Sequence, residues 1–333
     1  MTGPLVSVVL PARDCGAYLD AAVASILGQT ERRVELIVVD DHSRDGSIAG
    51  LSREDPRLRV VASPGEGIVD ALNYGAALAR GRYLARMDGD DLSHPQRLER
   101  QIAFLEARPD VGISGAQVQV FTNRGSPRSG YRRYQRWLNG LTTAEDIHRQ
   151  MFVESPIPHP TAVLRMAVFR DLGGYRGCPW AEDYDLWLRA HRAGVAMAKP
   201  RGTLLYWRDH PQRLSRCGEP YSQWQFVLAK AHYLAAGPLR GHRALIWGAS
   251  RVGARLHDAL AAVGAEVAGF IDVDPRQIGG CKRGLPVYGP DYLEGCGAEV
   301  VLAAVGAPGA REEIRGYLLA LGYQEGRDFV LAA

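Results

Sequence analysis

Tyr83-Leu84-Ala85-Arg86-Met87-Asp88-Gly89-Asp90-Asp91 is a short apolar run that passes into an acidic turn, and Ser93-His94-Pro95 breaks the pattern just beyond it. Read as a strand followed by a loop, it sets its carboxylates at the strand's carboxyl end, the edge at which open α/β sheets bind ligands. Clustered carboxylates are hard oxygen donors suited to Mg²⁺ or Mn²⁺. Either ion keeps several waters and takes phosphate oxygens, so Asp88 and Asp90 suffice as protein ligands for a divalent cation facing a diphosphate.

The same alternation extends on both sides. Leu5–Leu10, Val34–Val39 and Leu58–Val61 read as strands, while Tyr18–Leu27 and Ile68–Leu78 read as helices. Parallel strands joined by crossover helices follow from that order. A helix is expected over Pro95–Ala107, stopped by Arg108-Pro109, and then one strand over Val111–Phe121. Thr122–Gly140, with Gly125, Pro127 and Gly130, breaks the pattern as a loop or inserted arm. Ala181–Ala193 and Tyr221–Ala236 read as helices and Val195–Tyr206 as a strand. A second βα alternation begins at Ala244–Trp247 and continues through Arg251–Ala262, Val267–Ile271, Val300–Val305 and Arg311–Leu321. The fold class is therefore α/β, with a catalytic domain over residues 1–215, a linking helical segment over 216–241 and a smaller doubly wound, Rossmann-like domain over 242–333.

Composition fits a folded two-domain chain. The 333 residues are 46% apolar and 23% charged, with a formal net charge of +3, which argues against disorder and leaves the charge of the partner open. The first ten residues lack the basic flank of a signal peptide, and no stretch approaches the roughly 18 apolar residues of a membrane helix. Cys15, Cys178, Cys217, Cys281 and Cys296 are scattered without metal-binding or redox spacing. A soluble protein in a reducing, cytoplasmic setting is expected.

Two further acidic pairs stand beside Asp88 and Asp90. Asp40-Asp41 ends the run Val34–Val39 on the same sheet edge, where a carboxylate can accept hydrogen bonds from a base or a ribose. Glu182-Asp183 opens a helix, whose dipole favours an ionised carboxylate. Asp183 in that state can take a proton from an attacking hydroxyl.

Val6-Ser7-Val8-Val9-Leu10-Pro11, Ser25-Ile26-Leu27-Gly28-Gln29-Thr30, Asp40-Asp41-His42-Ser43-Arg44-Asp45-Gly46-Ser47, Met87-Asp88-Gly89-Asp90-Asp91 and Glu182-Asp183-Tyr184-Asp185-Leu186-Trp187-Leu188-Arg189 occur in order over about residues 5–210. Together they resemble family 2 glycosyltransferases of the GT-A fold. The resemblance implies inverting, metal-dependent transfer of a sugar from a nucleoside-diphosphate donor, with Pro11, Asp40, Asp41 and Asn73 lining the nucleotide site. It also implies Asp88 and Glu182 against the donor, Asp88 and Asp90 on the metal, and Asp183 as base. His210, in Tyr206-Trp207-Arg208-Asp209-His210, is a candidate third metal ligand. Arg13-Asp14 stands where the family usually has an aromatic residue and Asn.

The arm from Asn123 to Trp137 carries Arg124, Arg128, Arg132, Arg133 and Arg136 among Tyr131, Tyr134 and Trp137, with no acidic residue. Arginines beside aromatic rings suit unpaired RNA bases, and an amphipathic helix with buried rings and solvated arginines accounts for them equally. Arg133–Asn139, Gln150–Thr161, Ile246–Ala249 and Glu325–Phe329 also resemble the eukaryotic tRNA-queuosine galactosyltransferases. That narrower resemblance implies UDP-galactose as donor and a modified tRNA nucleoside as acceptor, with Arg132, Arg133, Arg136, Trp137 and His159 as acceptor contacts. A polysaccharide or small glycan is the alternative acceptor.

In the C-terminal region, Gly248-Ala249-Ser250-Arg251-Val252-Gly253 follows a strand, and Asp272 stands about 24 residues after Gly248. This is the layout of a dinucleotide fingerprint with Ser250 in place of the middle glycine. An NAD(P)-dependent oxidoreductase is the rival that follows from it, and a packing module the plainer reading.

Overall fold

The computed structural model describes residues 3–52, 54–123, 125, 127, 129–295 and 299–333. Arg124, Arg128 and Cys296 lie outside them. The chain forms two compact units, the first made of Met1–His148, Pro156–Cys178 and Asp185–Cys217, the second of Arg149–Ser155, Pro179–Tyr184 and Gly218–Ala333. The helix placed between domains by sequence reading thus groups with the C-terminal unit, together with two short segments from the middle of the chain.

The first unit is built on a seven-stranded sheet, β3-β2-β1-β4-β8-β6-β9. Its strands are β1 (Val6–Ala12), β2 (Val34–Asp40), β3 (Leu58–Ala62), β4 (Tyr83–Arg86), β6 (Val111–Ser114), β8 (Val163–Arg165) and β9 (Ala196–Ala198). β3, β2, β1 and β4 are parallel neighbours, so their carboxyl ends share one edge. Val8, Leu10, Leu36 and Val38 are fully buried, as expected where helices cover both faces of a parallel sheet. Among the covering helices are α1 (Leu19–Leu27), α3 (Ile68–Leu78) and α4 (Arg97–Ala107); the short α2 is Ser47–Gly50. One polar group inside this sheet is fully satisfied. Glu35 accepts hydrogen bonds from Ser7 Oγ at 2.6 Å and from the Arg80 main chain and guanidinium at 2.7 to 2.9 Å, the condition for burying a carboxylate without large cost.

Val111–Phe121 is not one strand. β6 stops at Ser114, and β7 (Gln117–Phe121) belongs to a separate three-stranded sheet, β5-β10-β7, with β5 Leu92–Ser93 and β10 Thr203–Arg208. Gly115 marks the change, since a Cβ there would lie 3.0 Å from Ile157 Cγ2. Val195–Tyr206 divides in the same way, between β9 and β10.

The arm is helical over α5 (Ser129–Gly140), and its sequence explains how it is held. β7 is an edge strand whose outward main-chain groups need partners. Gln135 Oε1 accepts from Val120 N at 2.8 Å, and Asn139 pairs with both Val118 N and Val118 O at 2.9 and 2.8 Å. Residues four apart on a helix face residues two apart on a strand, so the two amides fit two successive outward positions. Leu138, fully buried, anchors the same face. Tyr131 and Tyr134 pack against Trp207 with ring centroids 6.2 and 6.4 Å apart, and Trp137 stacks on Tyr134 at 5.7 Å.

Lys199 closes the far end of α5. Its buried Nζ donates to Leu138 O at 2.7 Å, and burial pulls its pKa down to about 7. A folded-state pKa below the unfolded value of about 10.4 means that the unfolded chain binds more protons between those limits. Stability from this site is therefore lowest below pH 7 and rises as pH increases from 7 to about 10. Urea titrations of wild type and Lys199→Met across that range are expected to show the wild-type value climbing relative to the variant by about 4 kcal/mol. A difference independent of pH would refute the assignment.

The remaining short helices are α6 (Ala144–Gln150), α7 (Met166–Asp171) and α9 (Leu214–Cys217), while α8 spans Glu182–Arg192. In the second unit, α10 (Gln223–Ala236), α11 (Arg251–Ala262) and α12 (Ala310–Ala320) accompany a six-stranded sheet, β13-β14-β12-β11-β15-β16. Its strands are β11 (Arg243–Trp247), β12 (Val267–Ile271), β13 (Cys281–Lys282), β14 (Leu285–Tyr288), β15 (Glu299–Ala303) and β16 (Phe329–Leu331). All are parallel except β13. Among the described residues, no helix is long and apolar enough to cross a membrane.

Candidate functional site

At the carboxyl edge of the first sheet, β1, β2 and β4 deliver Pro11, Asp40 and the turn Asp88–Asp91. Gly89 is required by a close approach, because a Cβ there would meet Cys15 Sγ at 2.5 Å. Asp88, Asp90 and Asp91 each offer an oxygen within 4.8 Å of the others. Asp88 is held by the buried Arg86. Burial, then the charges of Asp88 and Asp90, push the Asp91 carboxyl well above the usual carboxylate range, and its buried Oδ2 has no hydrogen-bond partner among the described residues. An orphaned carboxylate oxygen between two other carboxylates fits a divalent cation, which would relieve both the burial and the repulsion.

The second small sheet completes this centre. β10 runs into Arg208-Asp209-His210, and Arg208 N donates to Asp91 Oδ1 at 2.8 Å while Arg208 Nε donates to Asp90 O at 2.7 Å. His210 Nε2 lies 2.8 Å from Asp90 Oδ2. Its ring is 5.4 Å from Tyr18, and its buried Nδ1 has no partner among the described residues. The Arg208 guanidinium is sandwiched between the Tyr18 and Phe121 rings at 4.4 and 4.5 Å, which fixes the strand end that carries His210.

Arg213 is the residue that sequence reading missed. It is buried, packs over Trp207 at 4.6 Å and approaches Tyr131 Oη at 3.4 Å. Burial lowers its pKa, yet the charges of Asp91, Tyr131, Asp90 and Asp88 more than offset this and raise it overall. A permanent cation therefore faces the carboxylate cluster. Its position comes from packing among residues far apart in sequence; an arginine in a polar loop gives no such signal.

The nucleotide-end residues are more fully committed. Asp41 is buried, accepts from Gly67 N at 2.9 Å and faces Arg13 Nη1 at 3.5 Å. Gly67 has φ of +94°, a conformation that glycine adopts without strain. Asp40 accepts from Ser43 N at 2.9 Å. Asn73 uses both ends of its amide on the Tyr175 main chain, at 2.9 and 3.0 Å, which pins the 173–175 turn.

The residues assigned to the acceptor separate. Arg132, Arg133 and Arg136 are exposed on α5. Trp137 stacks on Tyr134 and faces inward. His159 is buried, shares Nε2 with Tyr175 Oη at 2.8 Å and abuts Trp187. It is buried, unlike the three arginines, and its charge acts on Asp88.

Glu182 and Asp183 belong to the second unit. Glu182 is buried and accepts from Tyr221 Oη at 2.6 Å, whereas Asp183 is half-buried in the first turn of α8. In the C-terminal sheet, the fingerprint turn is tight: a Cβ on Gly253 would stand 1.9 Å from Gly248 O. Ser250 caps α11 by accepting from Val252 N. Asp272, the carboxylate a ribose would need, already accepts from Ala249 N and Asp274 N at 2.8 and 3.0 Å.

Sequence comparison agrees with this geometry. Residues 7–173 match the profile of Glycosyl transferase family 2. A putative glycosyltransferase, EpsE, of Bacillus subtilis is 32% identical over 231 residues, covering 66% of this chain and 79% of its own. An uncharacterized glycosyltransferase of Haemophilus influenzae is 31% identical over 211 residues, covering 61% of this chain, and the match spans 65% of that relative's length. Among solved structures, residues 1–349 of TarS from S. aureus in complex with UDP superpose with a TM-score of 0.52 at 18% identity, covering 69% of this chain and 65% of that one, a likeness of fold. The chain belongs to glycosyl transferase family 2.

Proposed function

We propose that the chain transfers a sugar from a nucleoside-diphosphate donor to an acceptor hydroxyl with inversion. The observation that carries this reading is the cluster of Asp88, Asp90 and Asp91 with one buried, unpartnered oxygen on Asp91, held at a sheet edge by Arg208 and His210. Asp88, Asp90 and Asp91 would hold Mg²⁺ or Mn²⁺, with His210 as a further ligand or as the group that orients Asp90. A bound cation supplies Lewis-acid neutralisation of the departing diphosphate. Arg213 adds a second positive charge on the same side, and Pro11, Asp40 and Asp41 mark the nucleoside end. Asp183 takes the acceptor proton, which an inverting displacement requires of a single base. A uridine donor is favoured by the fold shared with a UDP-bound neighbour.

A glycan hydroxyl is the acceptor this reading favours over tRNA. Tyr131 and Tyr134, which would stack on bases, pack against Trp207, and Trp137 stacks on Tyr134. The oxidoreductase alternative has less to support it, since Ser250, which replaces the middle glycine of the fingerprint, caps α11.

The test is release of nucleoside diphosphate from a panel of UDP- and GDP-sugars, UDP-galactose included, with glycan oligosaccharides or total tRNA as acceptors. Turnover is expected to need Mg²⁺ or Mn²⁺ and to stop with EDTA. Undiminished turnover in EDTA would exclude the metal role; silence with every donor would exclude the function.

A further inference from the structure

We propose that Arg208 is a positioning residue that sets the metal preference of the carboxylate turn, favouring a small cation of the Mg²⁺ and Mn²⁺ kind over Ca²⁺; the inference rests on the metal role proposed above. Arg208 is buried and ends β10 beside the turn. Its main-chain N donates to Asp91 Oδ1 at 2.8 Å, and its Nε donates to Asp90 O at 2.7 Å. One residue thus holds a carboxylate of the cluster through its main chain and the neighbouring peptide through its side chain.

The first contact limits what Asp91 can give. Oδ1 is engaged by Arg208 N, while the buried Oδ2 has no hydrogen-bond partner among the described residues. Asp91 is left with one oxygen for a cation, and a rotation that offered both would break the bond to Arg208 N. Asp90 is restrained at two points, its main-chain O by Arg208 Nε and its Oδ2 by His210 Nε2 at 2.8 Å.

The guanidinium is itself fixed. It lies between the Tyr18 and Phe121 rings at 4.4 and 4.5 Å, and its Nη1 donates to Asn123 Oδ1. Asn123 Nδ2 donates in turn to Tyr18 Oη at 2.8 Å. A planar guanidinium can stack on both faces while its edge donates, which an ammonium cannot do. Charge alone therefore does not account for an arginine here.

Restraint of this kind discriminates between cations. Ca²⁺ takes roughly six to eight oxygens in a flexible shell, often both oxygens of one carboxylate, whereas Mg²⁺ demands near-octahedral geometry and keeps several waters. Mn²⁺ shares the octahedral preference. A turn with one available oxygen on Asp91 and a restrained Asp90 disfavours the larger shell and suits the smaller. Loosening Arg208 releases both aspartates, which costs the more demanding ion most.

Mn²⁺ and Ca²⁺ binding to the full chain are measured by calorimetry. Wild type is expected to bind Mn²⁺ at least about ten-fold more tightly than Ca²⁺. Arg208→Lys keeps the charge and the main-chain donor but loses Nε and the stacking. It is expected to lose at least about ten-fold in Mn²⁺ affinity, the range for groups that orient metal ligands, with a smaller change for Ca²⁺, so that the ratio narrows. Phe121→Leu removes one ring and no polar contact, and it is expected to narrow the ratio by a smaller factor. Leu36→Ala, a fully buried change within β2, lowers the thermal midpoint and is expected to keep the wild-type ratio, which separates positioning from loss of stability. Equal wild-type affinities for the two ions, an unchanged ratio in folded Arg208→Lys or, failing that, in Phe121→Leu, or equal narrowing in Leu36→Ala would each overturn the proposal. Release of nucleoside diphosphate from UDP-sugars by wild type reports on the glycosyltransferase reading separately: a metal preference that follows Arg208 without turnover would defeat that reading and leave this one standing.

Discussion

Asp90→Asn is expected to lower kcat by at least about a thousand-fold, some 4 kcal/mol of transition-state stabilisation. The substitution is nearly isosteric, so the turn around Gly89 and the packing of Cys15 should survive. It removes one negative charge from the cluster and replaces a carboxylate oxygen with an amide that cannot serve a hard cation as well. It also changes the partner of His210 Nε2, now 2.8 Å from Asp90 Oδ2. Two measurements separate these effects: the Mn²⁺ concentration at half-maximal activity should rise steeply, while the thermal midpoint without metal should stay level or rise as repulsion with Asp91 falls. A variant with wild-type metal response would remove Asp90 from the metal site. His210→Ala, which leaves all three carboxylates, is expected to cost only about ten- to a hundred-fold, the range of an outer-shell or supplementary ligand.

Asp183→Asn is expected to abolish transfer to the same degree, about a thousand-fold in kcat, with donor affinity unchanged. The distinction between it and its neighbour is structural. Glu182 is buried and engaged by Tyr221 Oη, which leaves it less open to an acceptor hydroxyl. Asp183 is half-buried at the start of α8. Donor binding followed by calorimetry, beside single-turnover transfer, decides the role: loss of both would make Asp183 a binding residue, and retention of turnover would make it neither. Glu182→Gln is expected to cost mainly stability.

The parallel half of the catalytic sheet was legible because strands buried on both faces are continuous apolar runs, as in Val34–Val39, and their ends expose whatever acids follow. Asp40, Asp88 and Asp90 were found that way. The change of sheet inside Val111–Phe121 was not, because an apolar run does not record which neighbours it pairs with; only Gly115 hinted at a bend. In the arm, Gly125, Pro127 and Gly130 point to a loop while the spacing of rings and arginines points to an amphipathic helix; the glycines and the proline precede or open α5, so the helical reading holds over Ser129–Gly140. The burial of His159 was not legible either. A histidine in a segment of family likeness invites a functional role, while its burial beneath Tyr175 and Trp187 depends on residues that fold against it from elsewhere. Asp91 and Arg213 gained their importance in the same tertiary way, one by losing solvent and partners, the other by packing on Trp207.

The amide clasp of Gln135 and Asn139 bears on how the arm can be studied. Those two side chains stand in for a neighbouring strand along β7, whose apolar Val118 and Val120 are buried. Removing residues 129–140 to probe acceptor binding would bare a hydrogen-bonding edge with an apolar face, a ready template for a second molecule. The truncated protein is expected to self-associate, and any activity it lost would report on its solution state. Substitutions at the exposed Arg132, Arg133 and Arg136 leave the clasp in place.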